Sequence, residues 1–373
     1  MSGDGSKTPA GILPDRAIAS LFETGHLASE GPLDDDQIQP ASLDLRLAGH
    51  AFRVRASFLP GPDAAVADKL AAITLHRFEI GEGAVLETGC VYIVPLMETL
   101  ALPETVEASA NPKSSTGRLD IFTRVICDRA EQFDRVPAGY RGPLYLEVSP
   151  RTFPILVRPG SRLSQIRFRR GDTTLDAGAL AELNARERLV ASERPIVDGR
   201  GVAMSIDLTG DSAGLVGYRG KRHTGVVDVD ARGARDVVDY WEPVRVRTGG
   251  PMAGAIVLDP DEFYILVSRE AVHVPPDFAA EMVPFDPLVG EFRVHYAGFF
   301  DPGFGHAAAG GSGARAVLEV RSHEVPFILE HGQVVGRLIY ERMAARPGAL
   351  YGELATSNYQ AQGLKLSKHF RQP

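Results

Sequence analysis

Short runs of β-branched and aromatic residues, separated by Gly, Pro, Asn and Asp, dominate two long stretches of the chain. The first stretch spans residues 38–168 and the second spans residues 201–340. Runs of this length, cut by turn-forming residues, are typical of strands in a sheet-rich domain. Apolar residues follow a helical spacing at 14–27 and again at 175–190, which predicts one short helix and one linker helix. The predicted fold class is therefore mainly β with a few short helices.

The two β-rich stretches resemble each other at a spacing of 172 residues. Aligned without a gap, residues 85–112 and 257–284 share eight of 28 positions, where average composition would give about two by chance. The sequence Leu-Glu-Val recurs in the same register, around Glu147 and around Glu319. This repeat predicts two tandem copies of one β fold. The predicted domains are residues 1–190 and residues 191–373.

Charge and cysteine content limit the classes of protein to which this chain can belong. The 373 residues contain 40 Lys and Arg against 48 Asp and Glu, a formal charge of −8, so we expect no nucleic-acid partner and at most a local anion pocket. Cys90 and Cys127 are the two cysteines, which excludes a disulfide scaffold and a four-cysteine zinc site and is typical of a reducing compartment.

No apolar run approaches the ~20 residues that span a bilayer, so we expect a cytoplasmic protein without a membrane segment.

The usual zinc and phosphate motifs are missing from the sequence. None of the ten His residues belongs to an HExxH motif, and the zinc deaminase signature, HxE followed by PCxxC, is absent. The stretch GLVGYRGKRH at 214–223 lacks the glycine spacing of a phosphate loop. Any deamination would therefore proceed without zinc. The sequence gives no reason to assign a functional role to His306.

The segment NPKSSTGRLDIF at 111–122 is the first candidate site. Lys113, two adjacent hydroxyl groups and Arg118 lie in a turn between a Pro and a Gly. Such a turn can offer cations, hydroxyls and backbone N–H groups to a phosphate chain. The alternative is a solvated β-turn without function.

The segments AGFFDPGFG at 297–305 and AVLEV at 316–320 form the second candidate site. Asp301 precedes a Pro-Gly turn that would expose its carboxylate, and Glu319 lies in an apolar strand. Alternation alone places Glu319 on the solvated face of an edge strand. The alternative is a buried Glu with a raised pKa, held for acid–base chemistry. The recurrence of Leu-Glu-Val in both copies favours the pocket.

The stretch YGELATSNYQAQGLKLS at 351–367 is the third candidate. Tyr351, Asn358 and Gln362 place an aromatic ring and two amides in it. These residues belong either to an arm that closes over a base or to a frayed tail.

Taken in order, QPASLDLRL, KSSTGR, AGFFDPGFG, VLEV and SNYQAQ resemble the dCTP deaminase family of the dUTPase-like β fold. The resemblance covers nearly the whole chain, as two copies. It implies two dUTPase-like domains of β-barrel or jelly-roll type, hydrolysis of dCTP to dUTP and ammonia, and a homo-oligomer, since the family forms its active sites between subunits. It also implies Mg²⁺ that is carried on the substrate triphosphate, with no metal bound by the protein itself.

The resemblance implies catalytic roles for three residues. Glu319 would be the general base, which takes a proton from water and later returns it to the leaving ammonia. Ser114 would help to hold the attacking water, and Arg118 would orient the site. Lys113, Ser114 and Ser115 would bind the phosphates, Asp301 would bind the sugar, and the backbone of Val317 and Leu318 would bind the pyrimidine edge. Tyr351, Asn358 and Gln362 would belong to the arm that closes over the substrate. Asn358 stands where the family usually has Lys, which removes one charge from the triphosphate clamp.

Departures from the family pattern leave two arrangements of the site open. The second copy has DPLVG at 286–290 in place of the phosphate-facing turn, and the first copy has no arm of its own. We expect a composite site, with KSSTGR from the first copy and Asp301, Glu319 and the arm from the second. The competing arrangement uses Glu147 as the catalytic base and Asp134 as the sugar ligand, together with the first copy's turn. The functional alternatives are a bifunctional enzyme that carries dCTP on to dUMP and a nucleotide-binding regulatory pseudoenzyme.

Overall fold

The computed structural model describes most of the chain, namely residues 9–191, 195–247, 249–250, 252–284, 292–294, 298–322, 324–353 and 363–371. Within these residues there are 28 strands and five α-helices, which confirms the mainly β class. In the same part of the chain no helix has the length and apolar character needed to cross a bilayer.

The strands and helices of the first half are, in chain order, β1 (Gly11–Ile12), α1 (Asp15–Glu23), β2 (Leu27–Ser29), β3 (Ile38–Gln39), β4 (Ser42–Leu45), β5 (His50–Val54), α2 (Val66–Ile73), β6 (Thr74–Glu79), β7 (Ala84–Leu86), β8 (Val91–Ala101), β9 (Glu107–Pro112), α3 (Ser114–Gly117), β10 (Ile121–Cys127), β11 (Arg135–Val136), β12 (Arg141–Pro150), β13 (Ile155–Val157) and β14 (Ser164–Arg170). One sheet has the order β11-β9-β14-β4-β3, and a second has the order β10-β12-β8-β5-β6. Their apolar side chains form one continuous core.

The elements of the second half are α4 (Ala177–Glu187), β15 (Val190–Ala191), β16 (Val197–Asp198), β17 (Gly201–Ser205), β18 (Leu215–Gly220), β19 (Val227–Asp228), α5 (Val237–Tyr240), β20 (Trp241–Arg245), β21 (Ala255–Leu258), β22 (Phe263–Val272), β23 (Phe278–Pro284), β24 (Phe292–Val294), β25 (Phe299–Phe300), a 3₁₀ turn η1 (Ala307–Ala309), β26 (Ala314–Ser322), β27 (Phe327–Glu330) and β28 (Val334–Arg342). Two further sheets, ordered β20-β18-β22-β26-β24 and β16-β17-β28-β23-β25, enclose a second core.

The main strand pairs of the first half recur in the second half. β8 pairs with β12, and β22, which begins 172 residues after β8, pairs with β26. The pairs β9–β14 and β23–β28 correspond in the same way. Glu147 lies opposite Ile93 and Glu319 lies opposite Ile265, so the two Glu residues have equivalent positions in their sheets.

The predicted linker helix is α4. The Asp176 carboxylate accepts a hydrogen bond from the Ala179 N–H at 2.8 Å, which caps the start of the helix. Arg188, with φ of 51°, ends it in the left-handed conformation. Leu180 and Leu183 pack into the core of the second half.

Two segments of the second half, here called the returning segments, pack against the first half and connect the two halves. β19 pairs in parallel with β13, and so adds a strand to a sheet of the first half. Residues 363–371 also lie against the first half, where the Ser367 hydroxyl donates to the Ser115 carbonyl at 2.9 Å. Both segments place side chains beside the turn that follows β9.

Candidate active site

A cavity of about 330 Å³ lies between the two halves. Its lining includes eight of the residues predicted from the sequence: Lys113, Ser114, Ser115 and Arg118 from the first half, and Asp301, Val317, Glu319 and Tyr351 from the second. Glu147 and Asp134 are not among the lining residues. The structure therefore brings together the described parts of the composite arrangement.

The KSSTGR segment forms a tight turn at the cavity wall. The Lys113 carbonyl accepts hydrogen bonds from the N–H groups of Thr116, at 2.8 Å, and Gly117, at 3.0 Å, which closes the single turn of α3. Ser114 is the exposed residue of this turn, whereas Ser115 is buried. Ser114 is therefore the turn hydroxyl that a ligand can reach most easily.

Asp44 on β4 holds two cations at the cavity. Its carboxylate forms an ion pair with Lys113 and lies 3.5 Å from Nη1 of Arg162. Asp44 is 1% exposed, so it acts as a fixed buried charge that positions both side chains. The residue belongs to the QPASLDLRL segment, to which the sequence analysis assigned no side-chain role.

Glu319 is a buried carboxyl group on β26. Its Oε1 lies 3.8 Å from Nε of Arg118, and burial raises the pKa of Glu319 to about 7, although Arg118 opposes the shift. A carboxyl group with a pKa near neutral pH can both accept and donate a proton under working conditions. Arg118 is held in turn by the Lys365 carbonyl, 3.0 Å from Nη1.

Asp301 is held by a buried arginine of the other half. Nη2 of Arg167, on β14, lies 3.0 Å from the Asp301 carboxylate, and the guanidinium stacks 4.0 Å from the ring centroid of Phe299. Burial raises the pKa of Asp301, and Arg167 opposes that shift. Arg167 was missed by the sequence analysis, because a single Arg in a strand gives no signal of a partner on a distant turn.

The turn after Asp301 depends on a glycine. Gly303 has φ of 97°, and a Cβ there would lie 2.7 Å from Cβ of Leu350 and 2.9 Å from the Tyr351 carbonyl oxygen. This close approach brings Tyr351 to the cavity wall, with its N–H bonded to the Pro302 carbonyl at 2.8 Å. Asn358 and Gln362 lie outside the described residues.

Val317 and Leu318 point in different directions on β26. The Val317 side chain lines the cavity. The Leu318 side chain is fully buried in the second core, so only its backbone can take part in binding.

One end of the cavity carries several cations that the sequence analysis missed. Arg162, Arg232 and Lys368 line it together with Lys113, and the carboxylates of Asp36 and Asp44, which pair with Arg162, lie among them. Burial and the neighbouring Lys113 lower the pKa of Lys368 to about 8. Lys368 belongs to the returning segment 363–371 and Arg232 follows β19, so no local motif connects either residue with the KSSTGR turn.

Glu147 and Asp134 lie in a different environment. Glu147 is buried and accepts a hydrogen bond from Nε of Arg124, on the adjacent strand, at 3.0 Å. The Asp134 carboxylate accepts the Val125 N–H at 2.7 Å, and burial raises its pKa to about 7. These partners are structural, and the KSSTGR turn is not among them.

Both halves of the chain match models of known domains. Residues 9–172 match the 2′-deoxycytidine 5′-triphosphate deaminase N-terminal domain, and residues 176–370 match the C-terminal domain of the same name. The dCTP deaminase of Haloarcula marismortui is 32% identical over 182 residues, which are 47% of this chain and 88% of that protein. A protein of Sulfurihydrogenibium named "dCTP deaminase, dUMP-forming" is 33% identical over 160 residues, which are 42% of this chain and 82% of that protein.

A solved structure matches nearly the whole chain. The crystal structure of 2′-deoxycytidine 5′-triphosphate deaminase from Agrobacterium tumefaciens is 67% identical, has a TM-score of 0.87, and covers 92% of this chain and 98% of that one. Since the two domain models match in order along one chain and this structure matches both, the chain belongs to the dCTP deaminase family, in its long two-domain form.

Proposed function

We propose that this protein hydrolyses dCTP and water to dUTP and ammonia in the cavity between its halves. The observation that carries the proposal is the position of Glu319, a buried carboxyl group with a pKa of about 7, in the same cavity as the KSSTGR turn. The cavity thus combines an acid–base group with a cationic end suited to phosphates.

Glu319 would perform both proton transfers. As the ionised carboxylate it takes a proton from the attacking water while the oxygen bonds to C4 of the base. The protonated group then returns this proton to the leaving amino group, and the C4–N bond breaks to release ammonia. Ser114 would hold the water, and Arg118, 3.8 Å from Glu319, would keep the carboxyl group oriented. The second proton of the water, which stays on the new C4 oxygen, then moves to N3 and gives the uracil ring, and the scheme uses no zinc.

The triphosphate would lie at the cationic end, and the sugar near Asp301. Lys113, Arg162, Arg232 and Lys368 surround the cationic end. Lys368 would contribute the kind of charge that the family pattern places at position 358. The Asp301 carboxylate would accept a hydrogen bond from a sugar hydroxyl.

Mg²⁺ would enter as part of the substrate, bound to the triphosphate. The cavity fits such an ion, because Asp34 and Asp230 line it and keep side chains that are 48% and 41% exposed. Carboxylates of this kind bind hydrated Mg²⁺ through its water ligands.

The test of this function is to incubate the full chain with dCTP and Mg²⁺, measure ammonia and separate the nucleotides. We expect equal amounts of dUTP and ammonia. A second candidate, further hydrolysis to dUMP, is favoured by the dUMP-forming relatives and would yield dUMP and pyrophosphate with the ammonia. Binding of dCTP without any ammonia would contradict the proposal and support the regulatory pseudoenzyme.

The pH dependence of kcat/KM should be bell-shaped, with its maximum between the pKa values of Glu319, about 7, and Lys368, about 8. Activity rises through the first value because the base must be ionised, and it falls through the second because Lys368 loses its charge. Assays from about pH 5.5 to 9.5 would show both limbs. Lys368→Met should remove the alkaline limb and raise KM; an unchanged profile in this variant would exclude Lys368 from phosphate binding.

A further inference from the structure

We propose that Glu187, His273 and His306 form a site for a divalent transition metal, with Zn²⁺ as the best fit to the ligands. Glu187 ends α4, His273 follows β22, and His306 precedes η1. None of the three lines the cavity described above. Two imidazoles and one carboxylate are a ligand set that binds zinc in proteins and leaves a fourth position for water.

The spacing of the ligand atoms fits a metal after a small contraction. One ligand atom of each residue lies within 4.8 Å of the other two. Nε2 of His306 and Oε2 of Glu187 are 3.7 Å apart, close to the roughly 3.3 Å that tetrahedral zinc bonds of about 2.0–2.1 Å would give. The second oxygen of Glu187 accepts from Arg186 at 3.0 Å, which leaves Oε2 for the metal.

His273 offers a nitrogen without a partner. Its Nε2 is buried and has no hydrogen-bond partner among the described residues. A neutral imidazole carries its proton on one nitrogen and a lone pair on the other, so the tautomer with the proton on Nδ1 can offer the lone pair of Nε2 to a metal.

The backbone positions of the two imidazoles are fixed before any metal binds. The His273 N–H donates to the Leu189 carbonyl at 3.1 Å, and its carbonyl accepts the Tyr340 hydroxyl at 2.7 Å. The His306 N–H donates to the Gly303 carbonyl at 3.0 Å. These bonds reduce the rearrangement that metal binding requires.

Binding would exchange one hydrogen bond for a metal bond at His306. Its Nδ1 accepts the Ala308 N–H at 3.0 Å, which leaves the ring proton on Nε2 in the metal-free site. A metal at Nε2 moves this proton to Nδ1 and releases the Ala308 N–H. The metal would thereby connect α4 to the turn that carries Asp301 and Phe304, both of which line the cavity.

The experiment is a Co²⁺ titration of the full chain after treatment with a chelator, followed by visible absorption. We expect one equivalent to bind, with the intense d–d bands of a low-coordinate site. Loss of an outer-shell partner typically weakens metal binding by about 10- to 100-fold, and loss of a ligand should cost at least as much. His273→Gln and His306→Gln should therefore each weaken Co²⁺ binding by about 100-fold or more. His331→Gln is the matched control, because His331 lies outside the cluster, 3.6 Å from Asp207. This variant should bind Co²⁺ as tightly as the unsubstituted chain.

Thermal unfolding provides a second measurement, and its main result comes from the unsubstituted chain, so it does not require the His variants to fold. Zn²⁺ should raise the Tm of the unsubstituted chain, because it binds only the folded state, and should not raise the Tm of Glu187→Gln. Glu187 is at the end of a surface helix, so this variant should fold. The proposal is overturned if the unsubstituted chain binds no Co²⁺, or if the cluster variants bind it as tightly as the His331→Gln control.

Discussion

Glu319→Gln should reduce dCTP deamination by on the order of 10²- to 10⁴-fold, the usual contribution of a general acid–base group. The amide keeps the shape of the buried carboxyl group but cannot take a proton from water. Nucleotide binding should change little, since the cations at the other end of the cavity remain in place. Single-turnover ammonia release, with dCTP binding measured by calorimetry, separates the two effects.

Glu147→Gln is the matched control for this prediction. Glu147 has the equivalent position on β12, but it is paired with Arg124 and does not line the cavity. We expect this variant to retain kcat once folded. If Glu147→Gln abolishes turnover and Glu319→Gln does not, the composite site is wrong.

Arg167→Met should destabilise the protein by about 3–5 kcal/mol, the range observed when one partner of a buried ion pair is removed. The Arg167 side chain is fully buried and lies 3.0 Å from Asp301 and 3.6 Å from Glu341. Its loss breaks the buried ion pair with Asp301 and leaves Glu341 with Arg169, 3.7 Å away, as its remaining ion-pair partner among the described residues. The shift of the urea midpoint, followed by circular dichroism, measures the effect.

Arg77→Met provides the comparison for Arg167→Met. Arg77 pairs with Glu79 at 3.0 Å, but the two side chains are 54% and 69% exposed, so its removal should cost no more than about 1 kcal/mol. Equal urea midpoints for the two variants would show that the Arg167 contact does not stabilise the interface between the halves.

The sequence predicted the strands well because the apolar runs and their turn residues are local signals. Alternation alone placed Glu319 on a solvated face, and the recurrence of Leu-Glu-Val in both copies favoured the buried position that the structure shows. β26 lies between β22 and β24, and all but one of its residues are buried, so alternation does not report exposure there.

The candidate site was predictable where a residue belongs to a compact motif, as in KSSTGR and DPGFG. Arg167, Arg232 and Lys368 were missed because their positions depend on contacts between distant parts of the chain. Arg167 and Asp301, for example, are separated by 134 residues. The metal-binding cluster has the same character, since its three residues come from three elements with no regular spacing.

The contact between Ser367 and Ser115 joins residues that are 252 positions apart. Loop-closure entropy grows only with the logarithm of length, so this separation costs little at equilibrium. The separation does affect the folding rate, because contacts between residues that are distant in the sequence form slowly. We therefore expect the cavity to be completed late in folding, after the sheets of each half, and recovery of activity on refolding to lag behind recovery of β structure.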